Sequence, residues 1–187
     1  MKPSELIDIL SVAEKLKCVT RHCDTSTGRR ESVAEHSWRL ALMAMLLTPE
    51  FPEADMHKVI RMCLIHDLGE AFTGDIPTFD KNEGHEQAEK AAYDRWAASL
   101  PEDVRGEFTD LLQEMDALET REAKIYKALD KLEAVIQHNE SDISSWLPLE
   151  YDLQLRYGAE NMIFSPYMQE LKACIDNWTR RKIEENK

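Results

Sequence analysis

Glycine, runs of β-branched residues and long apolar stretches are all scarce in this sequence. Only six of its 187 residues are glycine, and Leu, Ala, Glu and Lys, which dominate, favour helix over strand. No apolar run approaches the roughly 20 residues that a membrane-spanning helix needs. The first ten residues, MKPSELIDIL, lack the pattern of a secretory signal. We therefore expect a cytoplasmic, all-α protein that does not enter a membrane.

The sequence also has fewer basic than acidic residues, and its cysteines do not occur in closely spaced pairs. The chain carries 23 Lys and Arg against 36 Asp and Glu, a formal charge of −13. Binding along DNA or RNA needs a broad basic surface, so no nucleic-acid polymer is expected as a partner. A small phosphate ester remains possible, because a bound cation and one arginine can reverse the local field. No C-x-x-C pair occurs among the cysteines, which we expect to be free thiols: Cys18, Cys23, Cys63 and Cys174.

Apolar residues recur at helical spacing along most of the chain. Ser32-Val33-Ala34-Glu35 fits a capping box and marks the start of a helix that ends before Pro49. The polar stretch 20–31 is predicted to be a loop. The pattern predicts a single domain over residues 1–187, a bundle of about seven to nine helices. The best-marked helices are predicted at about 4–17, 32–47, 54–67, 83–100, 101–115, 120–139 and 166–184.

Polar residues interrupt several of the apolar faces. His36 shares a helical face with Leu40, Asp67 shares one with Cys63, and Asp130 lies at the edge of another. Taken singly, each is more often a hydrogen-bonded core histidine, a helix cap or a salt-bridge partner. Burying unpaired carboxylates costs several kcal/mol or more. The combination therefore favours a single bound cation that would compensate all of these buried polar groups.

His66-Asp67 is the sharpest part of this pattern. Successive side chains on a helix point about 100° apart, so both reach one ion only where the helix ends, and Leu68-Gly69 provides such an end. Two imidazoles and two carboxylates suit Mn²⁺, Co²⁺, Fe²⁺, Ni²⁺ or Zn²⁺, and Mg²⁺ less well. An octahedral ion with four protein ligands keeps two positions for water or substrate oxygen.

Three segments resemble a known family. SVAEHSW (32–38), IHDLGEAFTGDIP (65–77) and ALDKLEAVIQ (128–137) resemble the H…HD…D pattern of the HD-domain metal-dependent phosphohydrolases, with the GDIP element of the 5′-deoxynucleotidase subgroup. The resemblance implies a helical metal-binding core at about 32–138, on which the C-terminal helix packs. It implies that one divalent metal is bound by four residues: His36, His66, Asp67 and Asp130. It also implies a homodimer.

The resemblance also implies roles around the substrate. Glu70 and Asp75 would lie at the reacting phosphate, and Arg21 would contact substrate. His22 stands where the family has a tryptophan that helps to exclude a ribose 2′-hydroxyl. Asp116, in EMDALE, matches another part of the nucleotide pocket. The implied substrate is a nucleoside 5′-monophosphate, in its deoxy form.

A mechanism follows from these positions as a hypothesis. Glu70 follows His66 by four residues, so a partly helical turn brings it beside the metal, where it would orient or deprotonate the attacking water. Asp75, after Gly74, would position water or transfer a proton at the leaving oxygen, and the two roles could be exchanged. The alternative is a solvated helix-end acid for Glu70 and a turn residue for Asp75.

Other readings of the same pattern remain open. HD-type enzymes that hydrolyse nucleoside triphosphates or cyclic dinucleotides share the core motif, although the first usually have more basic residues and the second extra ligand motifs. A non-catalytic helical module with a structural metal, or with none, is a further alternative. His85 and His138 lack partners at matching spacing, and we interpret them as surface or core histidines.

Overall fold

The computed structural model describes residues 1–186 and confirms the all-α class. Within those residues, helices carry the fold and one short hairpin is the only sheet. Three 3₁₀ turns, Thr48–Glu50, Ile143–Ser145 and Ala159–Met162, link longer elements. The helices are α1 (Pro3–Lys15), α2 (Val33–Leu46), α3 (Met56–Ile65), α4 (Glu70–Thr73), α5 (Glu83–Ala98), α6 (Glu102–Ala117), α7 (Arg121–Glu140), α8 (Glu150–Arg156) and α9 (Pro166–Glu185).

Helix α7 is the centre of the bundle. It packs against α2, α3, α6 and α9, and its residues Ile125, Leu129 and Leu132 are fully buried. They meet Leu40 of α2 and Val59 of α3 in one apolar cluster. Because these contacts join helices that are far apart in sequence, the same packing fixes how polar groups on α2, α3 and α7 face one another. In the described part of the chain, no helix is at once long and apolar enough to cross a membrane.

The start of α2 is fixed by the predicted capping box. The Ser32 hydroxyl accepts the Glu35 N–H, and the Glu35 carboxylate accepts the Ser32 N–H at 2.9 Å. Each bond satisfies a backbone donor that a helix N-terminus leaves free. His36 is the next residue, so this local arrangement places the first candidate ligand in the first turn of a well-defined helix.

The segment 20–31, predicted to be a loop, contains an antiparallel hairpin instead. Strands β1 (Thr20–Asp24) and β2 (Arg30–Ser32) pair with Thr20 opposite Ser32 and Asp24 opposite Arg30. From the first pair to the second, the chain advances four residues along β1 but only two along β2. The extra residues form a bulge in β1. The prediction was wrong because neither short strand shows the alternation of apolar and polar residues that marks strands in a sequence. The bulge also lets neighbouring side chains of β1 turn to one side.

Candidate metal centre and active-site cleft

Packing of α2, α3 and α7 brings the four predicted metal ligands together. His36 comes from the first turn of α2, Asp130 from the middle of α7, and His66 and Asp67 directly follow α3. His36 is fully buried, and His66 is 9% exposed. The site therefore lies inside the bundle, where water competes weakly for a cation or a charge.

The chain turns tightly where α3 ends. Ile65 is the last residue of α3, and the Leu68 N–H bonds the Ile65 carbonyl at 3.1 Å. This turn replaces the regular helical spacing, so His66 Nε2 and Asp67 Oδ2 approach to 2.9 Å. The prediction that the helix ends at this pair is confirmed, and two consecutive side chains face one point.

The distances between donor atoms fit a single ion. His36 Nε2 lies 3.2 Å from His66 Nε2, 3.8 Å from Asp67 Oδ2 and 3.4 Å from Asp130 Oδ1. His66 Nε2 lies 3.8 Å from Asp130 Oδ1. Two ligands each about 2.1 Å from a metal are about 3.0 Å apart at a right angle and about 3.4 Å apart at a tetrahedral angle. The two shorter distances, 3.2 and 3.4 Å, match ligands in adjacent positions around one cation, and the donor atoms of His36, His66 and Asp67 all lie within 4.8 Å of one another.

The hydrogen bonds of the two imidazoles point to the same conclusion. His66 Nδ1 donates to the Cys63 carbonyl at 2.9 Å, and His36 Nδ1 donates to the Glu133 carboxylate. Both protons are thereby held on Nδ1, and both Nε2 lone pairs face each other. Two lone pairs at this distance repel unless a cation or a proton lies between them. A metal-binding histidine has this arrangement, with its second nitrogen bonded to a carboxylate or carbonyl.

The charges around His36 favour its protonated form. Burial and Arg21 lower the pKa of His36, but Glu133 and Asp130 outweigh them and raise it to about 9. Burial alone would raise the pKa of Asp67, yet the neighbouring His66 imidazole holds it below its ordinary value. The surroundings of the site therefore favour an ionised Asp67 beside a protonated His36.

Arg21 approaches this centre from the bulged strand β1. Its Nε lies 3.1 Å from Glu31 Oε2, and its Nη1 lies 3.8 Å from Asp67 Oδ2. Glu31 is 2% exposed and also accepts the Cys23 thiol at 3.2 Å. Arg21 therefore forms an ion pair with the buried carboxylate of Glu31, although its Nε makes no regular hydrogen bond among the described residues, and its guanidinium lies beside the predicted ligand Asp67.

Glu70 and Asp75 lie together beside the predicted ligands. Glu70 is 4% exposed, and its Oε2 is buried without a hydrogen-bond partner among the described residues. Burial, followed by the charges of Asp67 and Asp75, raises the pKa of Glu70 to about 11. Burial likewise raises the pKa of Asp75, against the lowering effect of Arg21. A buried carboxyl without a partner is suited to a ligand or to a proton in transfer.

These groups open into one cleft with a volume of about 260 Å³. Its walls come from β1, the 75–79 segment, α5, α7 and α8. Most of the predicted site residues line it: Arg21, His22, Asp67, Glu70, Asp75 and Asp130. His36 lies beneath them, fully buried. The cleft therefore gives a small molecule access to the side of the metal centre that carries Arg21 and the two acids.

Comparison with known proteins decides the family. The profile of the HD domain matches residues 13–172. The chain belongs to the HD domain family. Its curated relatives include proteins named 5′-deoxynucleotidase HDDC2. The one from Dictyostelium discoideum is 35% identical over 72% of this chain and 76% of its own length, and the one from Homo sapiens is 34% identical over 72% and 67%.

Solved structures agree with this HD domain assignment. A predicted metal-dependent phosphohydrolase from Magnetospirillum magnetotacticum superposes with a TM-score of 0.80 at 28% identity, over 98% of this chain and 96% of that one. A conserved hypothetical protein from Pyrococcus furiosus gives a TM-score of 0.69 at 31% identity, over 93% and 99%. The family and the donor atoms together imply a divalent metal ion.

Sequence reasoning missed several residues that surround the HD centre. Lys127 Nζ lies 2.9 Å from Asp130 Oδ2, and Lys131 follows Asp130 on the cleft wall. Glu133, fully buried, holds His36. The available signal was the spacing on α7, since Lys127 and Glu133 each lie three residues from Asp130 and hence on the same side of the helix.

His138 was also missed, because we interpreted it as a surface or core histidine. The structure places it in the cleft wall, where its Nε2 lies 3.0 Å from Glu150 Oε1. Glu150 lies on α8, and its contact with His138 on α7 depends on tertiary packing, which residue spacing in the sequence does not predict.

Asp116 lies apart from the other predicted site residues. Its exposed carboxylate pairs with Lys90 on α5. It lines an adjacent pocket, which shares Lys81 and Lys127 with the main cleft and reaches His66 from the other side. Its role in substrate binding stays a prediction.

Proposed function

We propose that this HD domain removes the phosphate from nucleoside 5′-monophosphates, with 2′-deoxyribonucleotides as the expected substrates. The observation that carries the proposal is the convergence of four donor atoms beneath a cleft that also holds Arg21, Glu70 and Asp75. The curated relatives that bear the name 5′-deoxynucleotidase support this substrate class. The proposal takes His36, His66, Asp67 and Asp130 as the metal ligands.

A divalent ion bound there supplies Lewis-acid polarisation of the phosphate and activation of water. Arg21 binds phosphate oxygens through paired N–H donors and offsets negative charge as it develops. Arg21 is already beside the predicted ligand Asp67, and the ion pair with Glu31 keeps it close to the cleft. Lys127, whose side chain is 29% exposed at the cleft wall, adds positive charge on the α7 side.

Glu70 and Asp75 divide the proton transfers between them. We assign Glu70 to orienting or deprotonating the attacking water, because it lines the cleft and its Oε2 has no hydrogen-bond partner among the described residues. We assign Asp75 to the proton that the leaving oxygen gains, because it follows Gly74 and lines the open cleft. Two neighbouring carboxyl groups whose charges disfavour each other can hold one proton between them, as acid–base work requires.

The identity of the metal follows from the donor set as an expectation. Two imidazoles and two carboxylates favour Mn²⁺, Co²⁺, Fe²⁺, Ni²⁺ or Zn²⁺ over Mg²⁺. A homodimer and a cytoplasmic location also remain predictions, and neither is needed for the chemistry proposed.

The test is an assay of metal-stripped protein resupplied with one ion at a time. Each preparation is incubated with deoxyribonucleoside and ribonucleoside 5′-monophosphates, and inorganic phosphate is measured. We expect metal-dependent release of phosphate, with Mn²⁺ or Co²⁺ most effective. No turnover with any ion across the panel would overturn the proposal in favour of a non-catalytic module.

The same assay separates the other phosphate esters. Nucleoside triphosphates would release triphosphate or pyrophosphate, and cyclic dinucleotides would give linear dinucleotides. We expect neither product, because the curated relatives bear the name 5′-deoxynucleotidase. Chromatography of the products identifies which bond has been cleaved.

A further inference from the structure

Between α4 and α5 the chain runs through residues 74–82 without a helix or a strand. This 74–82 segment carries Asp75, and its residues 75–79 form one wall of the cleft. A segment that lacks the repeating hydrogen bonds of a helix or strand keeps its place through the few contacts that it makes. The position of Asp75 therefore depends on how the segment is anchored.

Two side-chain hydrogen bonds join the 74–82 segment to other parts of the range 1–186, apart from the cap that Asn82 provides for α5. Lys81 Nζ donates to Glu89 Oε2 at 2.7 Å, but Glu89 lies on α5, which directly follows the segment. Thr78 Oγ1 lies 3.0 Å from the Oη of Tyr157, a residue 79 positions later in the chain. Only this second bond ties the segment to a distant part of the fold.

Tyr157 is itself held against α7. It directly follows α8, and its N–H bonds the Leu153 carbonyl at 2.8 Å. Lys131 Nζ donates to Tyr157 Oη at 3.0 Å and lies 4.8 Å from the centre of its ring. The next residue, Gly158, has a φ of +69°, and a Cβ there would lie 2.4 Å from Lys131 Cβ. Glycine therefore allows the end of α8 to approach α7 closely.

The hydrogen bonds of Tyr157 have a defined direction. A lysine ammonium can only donate, so Tyr157 Oη accepts from Lys131, and the single phenolic proton is left for Thr78 Oγ1. Lys131 Nζ also lies 3.7 Å from Oδ2 of Asp130, a predicted metal ligand. The contacts therefore lead from the predicted metal centre on α7, through Lys131 and Tyr157, to the segment that carries Asp75.

The link from Thr78 back to Asp75 is short and stiff. Pro77 lies directly before Thr78, and its ring fixes its own φ and restricts the preceding residue to an extended backbone. The Pro77 carbonyl accepts the N–H groups of Asp80 and Lys81 at 2.8 and 3.0 Å, which closes a turn around Thr78. A displacement of Thr78 is therefore passed on to Asp75 rather than absorbed between them.

We propose that Tyr157 is a positioning residue, which through Thr78 holds the 74–82 segment so that Asp75 lies at the leaving oxygen of the substrate. In the proposed hydrolysis the oxygen of water forms a bond to phosphorus and its proton passes to Glu70. The bond from phosphorus to the 5′ oxygen breaks, and the 5′ oxygen takes a proton from Asp75. The inference rests on the proposed function and adds a residue, outside the reacting groups, on which the acid depends.

The first test is Tyr157→Phe, which removes only the hydroxyl and keeps the ring beside Lys131. The substrates are a deoxyribonucleoside 5′-monophosphate and its analogue with sulfur in place of the bridging 5′ oxygen. A thiol has a pKa of about 8.5, so the thiolate leaves without needing a proton. We expect kcat for the oxygen substrate to fall about 3- to 10-fold, the effect of one neutral hydrogen bond, and kcat for the sulfur analogue to stay unchanged.

Tyr151→Phe is the matched control for this test. Tyr151 lies on α8, is 37% exposed, and its ring packs against Trp146 outside the cleft. This variant should hydrolyse both substrates as the wild-type protein does. An equal fall for both substrates in Tyr157→Phe would indicate a structural role only, and an unchanged kcat for the nucleotide would show that the hydroxyl is not needed. Either result would overturn the inference.

The second test approaches the same bond from Thr78, and it also serves if Tyr157→Phe folds poorly. Thr78→Val removes the hydroxyl at nearly constant shape and should slow the oxygen substrate alone, whereas Thr78→Ser keeps the hydroxyl and should restore the rate. The variant that combines Tyr157→Phe with Thr78→Val should lose no more than the larger single loss, because both changes remove one shared bond. Losses that multiply would mean that the two side chains act separately, against the inference.

Asp75→Asn separates this inference from the proposed function. It should lose about 10²–10⁴ of the rate on the oxygen substrate and far less on the sulfur analogue. If Asp75→Asn shows this pattern and the Tyr157 and Thr78 variants do not, the inference is wrong while the proposed function stands. An equal loss on both substrates in Asp75→Asn would overturn the role of Asp75 and the inference with it. If the wild-type protein hydrolyses no nucleotide, the proposed function itself fails.

Discussion

The two histidines that we predict to bind the metal, His36 and His66, are held in place in different ways. His66 is fixed within its own helix, since its Nδ1 donates to the Cys63 carbonyl three residues earlier. His36 on α2 is fixed by Glu133 on α7, and Arg39 donates to the other oxygen of Glu133 at 2.6 Å. One support is local backbone, and the other is a buried charge network between helices.

The two halves of the centre, the His66-Asp67 pair and His36, therefore depend on different parts of the structure. The His66-Asp67 half needs only a helix that ends at Ile65. The His36 half needs α2 and α7 to be packed in register, with a carboxylate kept charged in the interior. The first half should therefore tolerate changes around it, whereas the second should respond to loss of any partner in its network.

The largest effect is expected for Asp67→Ala, which removes a predicted metal ligand next to His66. The variant should lose metal binding and activity together, and its fold should remain because the turn after α3 is held by backbone bonds. Metal content after dialysis, phosphate release and circular dichroism measure the three quantities. Full activity in a variant that holds no metal would exclude the centre described here.

The next effect is expected for Glu70→Ala, just beyond the same turn. Glu70 bonds neither His36 nor His66, so the metal affinity of the variant should stay close to that of the wild-type protein. The rate should fall by about 10²–10⁴, the usual loss when an acid–base group is removed. The measurement is kcat at saturating metal, with Glu70→Gln beside it. If both variants turned over normally, the role of Glu70 would have to pass to Asp75.

Glu133→Gln tests the network half directly. The carboxylate of Glu133 accepts a hydrogen bond from His36 Nδ1–H on one oxygen and from Arg39 on the other. The amide of the variant keeps the shape of the side chain, but it has a single acceptor oxygen and no charge. We expect metal affinity to fall about 10- to 100-fold, as for other residues that orient a metal-binding histidine. Titration with Mn²⁺ against a chelator measures it. Unchanged affinity would mean that helix packing alone holds His36.

Cys63→Ala is the matching change in the local half. Cys63 is fully buried, but His66 bonds its carbonyl and not its thiol. Metal affinity should therefore stay within about twofold, while the free energy of unfolding falls by about 1 kcal/mol through the small cavity left behind. Urea denaturation and the same Mn²⁺ titration give the two values. A tenfold loss of affinity here would erase the distinction between the two supports.

The smallest effect concerns the cap of α2, just before His36. The Arg29 guanidinium lowers the pKa of Glu35 to about 2. Because the pKa of Glu35 is lower in the folded state, this ion pair stabilises the fold at pH values above about 4.5, the ordinary pKa of the carboxyl. The contribution is lost as the pH falls toward 2. Because Glu35 is 41% exposed, Glu35→Gln should cost less than about 1 kcal/mol at pH 7. Urea curves of the metal-free protein at pH 7, 4 and 3 should show this difference shrinking.

Much of the fold was predictable because its signals are local. Apolar spacing placed the long helices within a few residues of their observed bounds, as with α7, predicted at 120–139 and observed at Arg121–Glu140. The hairpin at 20–32 was missed, because its two strands are short and one is bulged. The bulge matters for the site, since it directs Arg21, His22 and Cys23 into the same cleft.

The sequence by itself determined which residues are available as ligands and where α3 must end for His66 and Asp67 to meet. Backbone geometry within a few residues is enough for that. The tertiary structure alone decided that Glu133 supports His36, that Glu31 pairs with Arg21, and that the end of α8 brings Tyr157 to the cleft. These contacts join segments far apart in the chain, and their geometry is set by the packing of the whole bundle, which spacing along the chain does not encode.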